Sequence, residues 1–294
     1  MITVPQSMRA MPRWTRDEAG RAWLDELPQL VAEQCRTWDV EVDGAPLHGS
    51  NAIVVPVARG GAVFALRLAP PGDDVTRQVE ALRFWDGRGV VELIEADPAH
   101  RAMLLERLDG ARTLLSVPLD EAHQVIAGLV RTLAVPAPPD APTTAEVARQ
   151  HAESFERDWI ALAEPVVPQQ LRAAVDHALA LAAAPVADTA VDADLHHGQV
   201  LAGTRAPWIM VDPVLLRGDP EYDLARVLWT RLDEMPGDDD VTAAFRAFVA
   251  TVDVPEDRAR AWVVVRSFSY LLWGLSHGMT EDPMRCRRLL DIFA

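Results

Sequence analysis

The stretch that decides the fold of this chain is DADLHHGQVL at residues 192–201, and WIMVDP follows it at residues 208–213. The first stretch places a carboxylate, Asp194, on a predicted turn and an amide, Gln199, five residues further on. A second carboxylate, Asp212, ends a short apolar strand that is predicted to fold back antiparallel beside the first stretch. The pattern therefore predicts one carboxylate that acts as a base, and an amide and a carboxylate that bind metal.

This arrangement suits phosphoryl transfer. In that chemistry one carboxylate orients the attacking hydroxyl group, while an amide and another carboxylate hold magnesium ions on the nucleotide phosphates. Asp194 is the candidate catalytic residue, and Gln199 and Asp212 are the candidate metal ligands. The adjacent His196 and His197 do not form a convergent ligand set, so we interpret them as structural residues of the loop.

Composition and charge set the outer bounds. At 294 residues and 49% hydrophobic content, the chain is long enough for two lobes with substantial cores. A net charge of −16 disfavours nucleic acid and fits a cationic small molecule, although on charge alone the simpler interpretation is that acidity keeps the protein soluble. Cys35 and Cys286 have no metal-ligand spacing and are interpreted as reduced core residues. Residues 1–14 lack a signal-peptide pattern and we find no membrane segment, so we expect a cytoplasmic protein.

Hydrophobic periodicity predicts helices followed by strands, and then mainly helices. Alternation at residues 52–57 and 63–68, on either side of Arg59-Gly60-Gly61, indicates a hairpin. The other predicted elements are helices at residues 17–27, 28–38, 120–133, 144–163 and 169–183, a helix carrying Glu80, strands at 90–94 and 102–108, and helices from residue 219 to the end. Asp219 before Pro220 is a predicted helix N-cap.

Four further segments follow one another in the order and approximate spacing of one known family: GRAW at 20–23, IVVPV at 53–57, MLLERLDG at 103–110 and GDPEYDL at 218–224. With the two stretches above, they resemble the small-molecule kinases of the aminoglycoside phosphotransferase superfamily, most closely the streptomycin 6-kinase and hydroxyurea phosphotransferase branch. The resemblance implies a two-lobed α+β fold of the protein-kinase type. A small mixed-sheet lobe at residues 1–107 would bind nucleotide, and a mainly helical lobe at residues 108–294 would carry the catalytic residues and bind the acceptor.

The resemblance also implies a phosphate-binding cation. The family uses a lysine on the third strand of the first lobe, but none of the 28 basic residues of this chain is lysine. Arg67 occupies the matching place, and Glu80 matches the helix glutamate that orients this cation. We expect Arg67 and Glu80 to form a buried ion pair; without the resemblance, a solvent-facing Glu80 is the simpler interpretation. The family's nucleotide is ATP or GTP with Mg²⁺.

Two backbone segments complete the expected nucleotide site. Gly49, Ser50 and Asn51 are candidates for placing N–H groups over the phosphates, although the same residues are ordinary turn formers. The backbone from Glu106 to Leu108 is the expected contact to the adenine edge.

Two carboxylates near the C-terminal helices have double interpretations. Asp219 is either an N-cap alone or also lines the acceptor site, and Asp223 is either favoured by a helix dipole or supports the catalytic loop. The aromatic group Trp262, Phe268, Tyr270 and Trp273 fits a packed helix, and would wall the acceptor pocket only if neighbouring helices leave a cleft.

The catalytic loop departs from the family pattern in two places. Asp192 stands where the family has histidine, and Gln199 stands where it has asparagine. If Asp192 and Asp194 are buried close together, we expect one of their pKa values to rise. The leading hypothesis is an enzyme that transfers the γ-phosphate of a nucleotide to a hydroxyl of an aminoglycoside-like or other hydroxylated antibiotic. The alternative is a kinase-like binding protein without transfer activity, suggested by Arg67, Asp192 and Gln199.

Overall fold

The computed structural model describes residues 2–15, 17–73, 75–185 and 187–294. The chain forms two compact units. Unit 1 comprises Met1–Ala111 and Leu201–Val211, and unit 2 comprises Arg112–Val200 and Asp212–Ala294. A single division after residue 107 therefore omits the return of Leu201–Val211 into unit 1.

The elements of unit 1 are α1 (Gln6–Arg9), α2 (Glu18–Thr37), β1 (Glu41–Val42), β2 (Leu47–His48), β3 (Ile53–Arg59), β4 (Ala62–Leu68), α3 (Val75–Trp85), β5 (Leu93–Asp97) and β6 (Ala102–Glu106). The sheet of this unit is antiparallel, with strand order β1-β3-β4-β6-β5, and β2 also pairs with β3. The predicted hairpin is confirmed, since Ile53 pairs with Leu68 and Arg59 with Ala62. The predicted strand at 90–94 begins later, because Val91 N–H instead donates to the Met210 carbonyl.

The core of unit 1 follows from two sequence periods. Alternate residues of β3 are buried, because successive side chains of a strand point to opposite faces. Helix α2 buries Trp23, Leu27 and Val31, which recur every four residues and so share one face. These side chains belong to one cluster with Leu66 and Leu104 of the sheet.

Helix α2 continues through Pro28, so the prediction of two helices meeting there is wrong. Proline lacks the N–H group that would bond to the carbonyl of Leu24, and such a loss usually kinks or ends a helix. In this structure the guanidinium of Arg9 donates to the Leu24 carbonyl at 3.1 Å. A side chain from α1 thus supplies the Leu24 carbonyl with a donor in place of the missing N–H.

The segment Leu201–Val211 is anchored in unit 1 by Arg205. Its guanidinium donates to the carbonyls of Gly87 at 2.6 Å and Val90 at 2.9 Å, and to the Glu106 carboxylate at 2.9 Å. The three strands β7 (Asp109–Thr113), β9 (Val200–Ala202) and β10 (Trp208–Met210) form a small sheet in the order β10-β9-β7. Asp212 follows this sheet directly.

Unit 2 is mainly helical, as predicted. The helices expected at 120–133, 144–163 and 169–183 are confirmed within two residues at each end. Thr143 and Glu146 form a reciprocal capping box at the start of α5. The elements are α4 (Leu119–Leu133), α5 (Thr144–Ala161), α6 (Pro168–Ala183), β8 (Ala190–Asp192), β11 (Leu215–Arg217), α7 (Leu224–Thr230), α8 (Asp238–Val252), α9 (Glu256–Ser276) and α10 (Glu281–Phe293). Within the described ranges, no helix is long and apolar enough to cross a bilayer.

The Pro28 arrangement generates a testable prediction. Arg9→Ala should lower the free energy of unfolding by about 1 kcal/mol, because the Leu24 carbonyl loses its donor. In a Pro28→Ala background the same substitution should cost less, since the new backbone N–H bonds to that carbonyl. Urea unfolding of the four proteins measures the coupling. Asp25→Ala is the control: it removes only the exposed Arg9–Asp25 ion pair and should cost the same in both backgrounds. An equal cost of Arg9→Ala in both would contradict the explanation.

Candidate active site

The candidate catalytic loop of unit 2, residues 192–199, begins at the end of strand β8. β8 ends at Asp192 and pairs antiparallel with β11. After the strand, the Ala193 N–H donates to the Val214 carbonyl at 2.9 Å, and Gln199 N–H donates to the His196 carbonyl at 2.9 Å. This short closed turn brings together two predicted residues: the amide Nε2 of Gln199 donates to Oδ2 of Asp194 at 2.6 Å.

The two histidines are structural, as interpreted from the sequence. Nδ1 of His196 accepts from the Gly198 N–H at 3.1 Å and so closes the turn. His197 is fully buried, and its ring centroid lies 5.3 Å from that of His123. Burial lowers the pKa of both loop histidines to about 3, so both are neutral at physiological pH.

The other carboxylate oxygen of Asp194 faces an arginine that the sequence analysis did not identify. Arg226 lies 3.2 Å from Oδ1 of Asp194. Burial raises the pKa of Asp194, and the Arg226 guanidinium and the Gln199 amide only partly offset this effect. Asp194 is thus an oriented carboxylate with a proton affinity above that of an ordinary aspartate.

Asp192 is the most deeply buried carboxylate of the loop. It is 5% exposed, and Oδ1 accepts from the Val214 N–H at 2.6 Å. Oδ2 has no hydrogen-bond partner among the described residues. Burial, followed by the nearby charges of Asp194 and Asp223, raises the pKa of Asp192 well above the ordinary value. The sequence predicted that one pKa of this pair would rise, and burial in fact raises the pKa of both Asp192 and Asp194.

The oxygen of the Gln199 amide fits a cation. Because Nε2 is turned toward Asp194, Oε1 faces away, and it is buried without a hydrogen-bond partner among the described residues. A buried oxygen acceptor without a donor is costly unless it has a ligand. The carboxylate of Asp212 lies close enough for its charge to raise the pKa of Asp194 further. Amide and carboxylate oxygens are the hard ligands that Mg²⁺ prefers.

Asp212 adopts an unusual backbone conformation. Its φ of +54° lies in the left-handed region, which disfavours residues other than glycine, asparagine and aspartate.

No group of three or more His, Cys, Asp and Glu side chains in the described part of the chain is arranged as a metal site. A Mg²⁺ ion commonly uses only one or two carboxylates, with the remaining ligands supplied by phosphates and water.

Asp219 is not the helix N-cap that the sequence predicted. Helix α7 begins later, at Leu224 with Asp223 as its N-cap residue, because Asp219 and Pro220 lie in a turn closed by Tyr222 N–H and the Asp219 carbonyl. The side chain of Asp219 instead accepts from Arg258 at 2.7 Å and from the indole N–H of Trp262 at 2.7 Å. The loop before α7 is therefore fastened to α9.

Asp223 makes no side-chain capping bond at α7. Its Oδ1 accepts two bonds from the guanidinium of Arg266, at 3.2 and 2.9 Å. Arg258 and Arg266 were not predicted from the sequence, and Trp262 was predicted only to pack within its helix. The only available signal was their spacing of four residues, which places them on one face of a helix.

The predicted Arg67–Glu80 ion pair is corrected by the structure. Arg67 lies on β4 opposite Val54 and Met103, and it is 6% exposed. Glu80 points to solvent from α3, whose buried face carries Val75, Val79 and Leu82. Helical periodicity placed Glu80 on α3 but did not show which face of the helix is buried. The packing under α3 leaves Glu80 on the exposed face, so Glu80 is not a buried partner of Arg67.

The other predicted nucleotide-binding residues of unit 1 lie in segments that already make hydrogen bonds within the protein. Gly49, Ser50 and Asn51 form the turn between β2 and β3, where Gly49 N–H donates to the Ala52 carbonyl at 3.1 Å. The Asn51 side chain bonds to Arg13 and Asp73. At the other segment, Glu106 N–H donates to the Glu92 carbonyl at 2.9 Å, so this donor is already used. A contact to an adenine edge at this segment would have to use other groups, such as the backbone of Leu108.

A buried carboxylate held by an amide whose oxygen has no partner among the described residues, with the charge of a second carboxylate nearby, is an arrangement that suits phosphoryl transfer. Residues 37–278 match the model of the aminoglycoside/hydroxyurea antibiotic resistance kinase family. The chain belongs to this family.

Two named relatives are similar in sequence to this chain along most of its length. It is 36% identical to streptomycin 6-kinase of Streptomyces glaucescens, covering 96% of this chain and 94% of the relative. It is 37% identical to hydroxyurea phosphotransferase of Kitasatospora aureofaciens, covering 91% of this chain and 78% of the relative. These names do not favour the alternative of a kinase-like protein without transfer activity.

Solved structures confirm the fold. The ternary complex of a thermostable mutant of aminoglycoside phosphotransferase APH(4)-Ia with AMP-PNP and hygromycin B superposes with a TM-score of 0.67 at 18% identity, covering 90% of this chain and 98% of that chain. Choline kinase LicA from Streptococcus pneumoniae gives a TM-score of 0.61 at 13% identity, covering 91% and 99%.

The raised pKa of Asp192 predicts a pH effect on stability. A carboxyl whose pKa is higher in the folded than in the unfolded protein binds more protons when folded, so stability falls as the pH rises through the folded-state pKa. Asp192→Asn keeps an acceptor for Val214 N–H but has no charge at any pH. Its stability should therefore decline less than that of the wild type between about pH 4 and pH 8 in urea unfolding. Asp239→Asn, at an exposed position, is the control, and it should follow the wild-type curve. Parallel curves for wild type and Asp192→Asn would refute the assignment.

Proposed function

We propose that this protein is a magnesium- and nucleotide-dependent O-phosphotransferase that acts on a hydroxyl group of an aminoglycoside-like or other hydroxylated antibiotic. The observation that carries the proposal is the bond between Gln199 Nε2 and Asp194 Oδ2, which orients the base and frees a buried amide oxygen. Streptomycin 6-kinases and a hydroxyurea phosphotransferase among the relatives support this substrate class. A cytoplasmic site of action stays a prediction.

Asp194 would orient the acceptor hydroxyl and accept its proton. Two contacts fix the carboxylate: Gln199 holds Oδ2 and Arg226 faces Oδ1. A base of raised proton affinity accepts a proton more readily as the hydroxyl begins to attack. Arg226 also stabilises the ionised form of the carboxylate.

Gln199 and Asp212 would hold Mg²⁺, which neutralises charge on the nucleotide phosphates when bound. The longer side chain of Gln199, compared with the asparagine of the family pattern, is accommodated because its amide nitrogen turns back to Asp194. The departure from the family pattern then alters the ligand position without removing the ligand.

Arg67 would bind the nucleotide phosphates in place of the family's lysine. A guanidinium remains charged when buried and forms directed bonds to phosphate oxygens. The turn at Gly49, Ser50 and Asn51 would contribute backbone donors, and the backbone near Leu108 the adenine contact. We propose ATP or GTP as the phosphate donor, because the residues of the site do not distinguish between these two nucleotides.

The proposal predicts the effect of removing the base. Asp194→Asn should still fold, because the asparagine oxygen can accept the Gln199 bond although the ion pair with Arg226 is lost, but it should lose transfer by roughly 10²- to 10⁴-fold. The measurement is phosphate incorporation into a panel of hydroxylated antibiotics with labelled nucleotide. Asp239→Asn serves as the control for loss of an exposed carboxylate. Unchanged turnover in Asp194→Asn would exclude Asp194 as the base, and no transfer by the wild type to any acceptor would favour the binding-protein alternative.

Nucleotide binding should depend on Arg67 and Asp212 in different ways. Arg67→Ala should weaken nucleotide affinity both with and without magnesium, because a charge-assisted contact to phosphate is lost. Asp212→Ala should abolish the increase in affinity that magnesium gives, because the ion loses its protein ligand. Calorimetric titration of each variant, with Asp239→Asn as the reference, measures both effects. Equal affinity of wild type and Arg67→Ala at saturating magnesium would contradict the role of Arg67.

A further inference from the structure

The segment before α2 is anchored firmly in unit 1. It contains α1 and a short 3₁₀ helix (Pro12–Thr15), and it precedes residues 37–278, which match the family model. Met8 is fully buried and Trp14 is 2% exposed. The indole N–H of Trp14 donates to the Met8 carbonyl at 2.7 Å, which closes the segment on itself. We call residues 6–15 the leading segment.

Arg13 extends from the leading segment to the tip of the turn between β2 and β3. Its guanidinium lies over the ring of Trp14, 4.4 Å from the ring centroid, so a buried side chain supports this cation. The guanidinium donates to the Ser50 carbonyl at 3.2 Å and to the side-chain oxygen of Asn51. The amide nitrogen of Asn51 donates in turn to the Asp73 carboxylate. The tip of the turn is therefore held on two sides.

Ser7 contacts the same turn through His48. Nδ1 of His48 lies 2.9 Å from the Gly49 carbonyl oxygen, and because a carbonyl only accepts, Nδ1 carries the hydrogen of this bond. Nε2 of the ring lies 2.7 Å from the hydroxyl oxygen of Ser7. In the neutral form of the ring, Nε2 accepts the hydroxyl hydrogen. The leading segment thus holds the Gly49 carbonyl through one imidazole ring.

These contacts hold two successive peptide groups by their carbonyl oxygens. A peptide group is planar, and both of these are trans, so each N–H points opposite to the carbonyl of the same group. Fixing the Gly49 carbonyl therefore fixes the direction of the Ser50 N–H, and fixing the Ser50 carbonyl fixes that of the Asn51 N–H. Neither contact uses these two N–H groups. Successive backbone N–H groups with fixed directions are suited to binding anions.

We propose that Arg13 and Ser7 are positioning residues, which orient the Ser50 and Asn51 N–H groups for the phosphates of the bound nucleotide. The inference rests on the proposed function, in which this turn contributes donors to phosphate. A turn that is ordered before binding loses less conformational freedom on binding, so its affinity for the ligand is higher. Arg13 is exposed, and exposed substitutions usually change overall stability little. Loss of its contacts should therefore affect nucleotide binding more than folding.

The test is calorimetric titration of the full chain with ATP and GTP, and then with the nucleoside of the nucleotide that binds. Arg13→Ala should weaken triphosphate affinity about three- to tenfold, the range for losing the order of one side chain. Nucleoside affinity, and kcat at saturating nucleotide, should not change. Ser7→Ala should give a smaller loss, because it acts through His48. Arg13→Lys should recover most of the affinity, since an ammonium group can still donate to the Ser50 carbonyl.

A second measurement reports on the turn without any nucleotide. Hydrogen–deuterium exchange across residues 47–53 should become faster in Arg13→Ala than in the wild type, because the turn loses an ordering contact. Weaker triphosphate affinity with unchanged exchange would overturn the positioning role, since Arg13 would then act through its charge alone.

Arg9→Ala is the matched control within the leading segment. Arg9 bonds to the Leu24 carbonyl and pairs with Asp25, both on α2 rather than on the turn. Its loss should lower stability to urea more than Arg13→Ala does, yet leave triphosphate affinity and exchange at residues 47–53 unchanged. Equal triphosphate affinity in wild type and Arg13→Ala, or an equal loss in Arg9→Ala, overturns the inference and leaves the proposed function intact. A wild type that binds neither ATP nor GTP overturns both.

Discussion

The active site depends on how buried carboxylates are balanced by arginines. Asp194 faces Arg226, and Asp223 accepts two bonds from Arg266. A third carboxylate, Asp192, lies close to both and has a strongly raised pKa. Asp194 and Asp223 thus each have a guanidinium partner. Uncompensated charge in such a place is costly, and these two ion pairs hold the candidate catalytic loop to α7 and the start of α7 to α9.

The absence of lysine shapes this balance. Every basic residue of the chain is arginine, including those that fasten Asp219 and Asp223 to α9. A guanidinium remains charged at any physiological pH and offers several directed donors, whereas a buried ammonium loses its proton more readily. Arginine therefore suits an interior that must hold several carboxylates at fixed positions. The same property makes Arg67 a suitable phosphate ligand in the proposed function.

Much of the fold was predictable, and the errors have physical causes. Periodicity located the β3–β4 hairpin and helices α4, α5 and α6, because their local pattern and their burial agree. It failed at Pro28, where Arg9 supplies the donor that proline lacks. It also placed a helix N-cap at Asp219, whose carboxylate is bound instead by Arg258 and Trp262. In each case a residue distant in sequence overrides a local preference.

The sequence by itself determined the family and the succession of elements. It also determined the short loop that joins Asp194 to Gln199, because residues five apart can meet through a local turn. Only the tertiary structure decided which arginine faces each carboxylate, which face of α3 carries Glu80, and that Trp273 is exposed beside Tyr270. These depend on contacts between segments far apart in the chain. Local periodicity gives the direction of a side chain relative to its own helix or strand, but packing of other elements determines what that side chain meets.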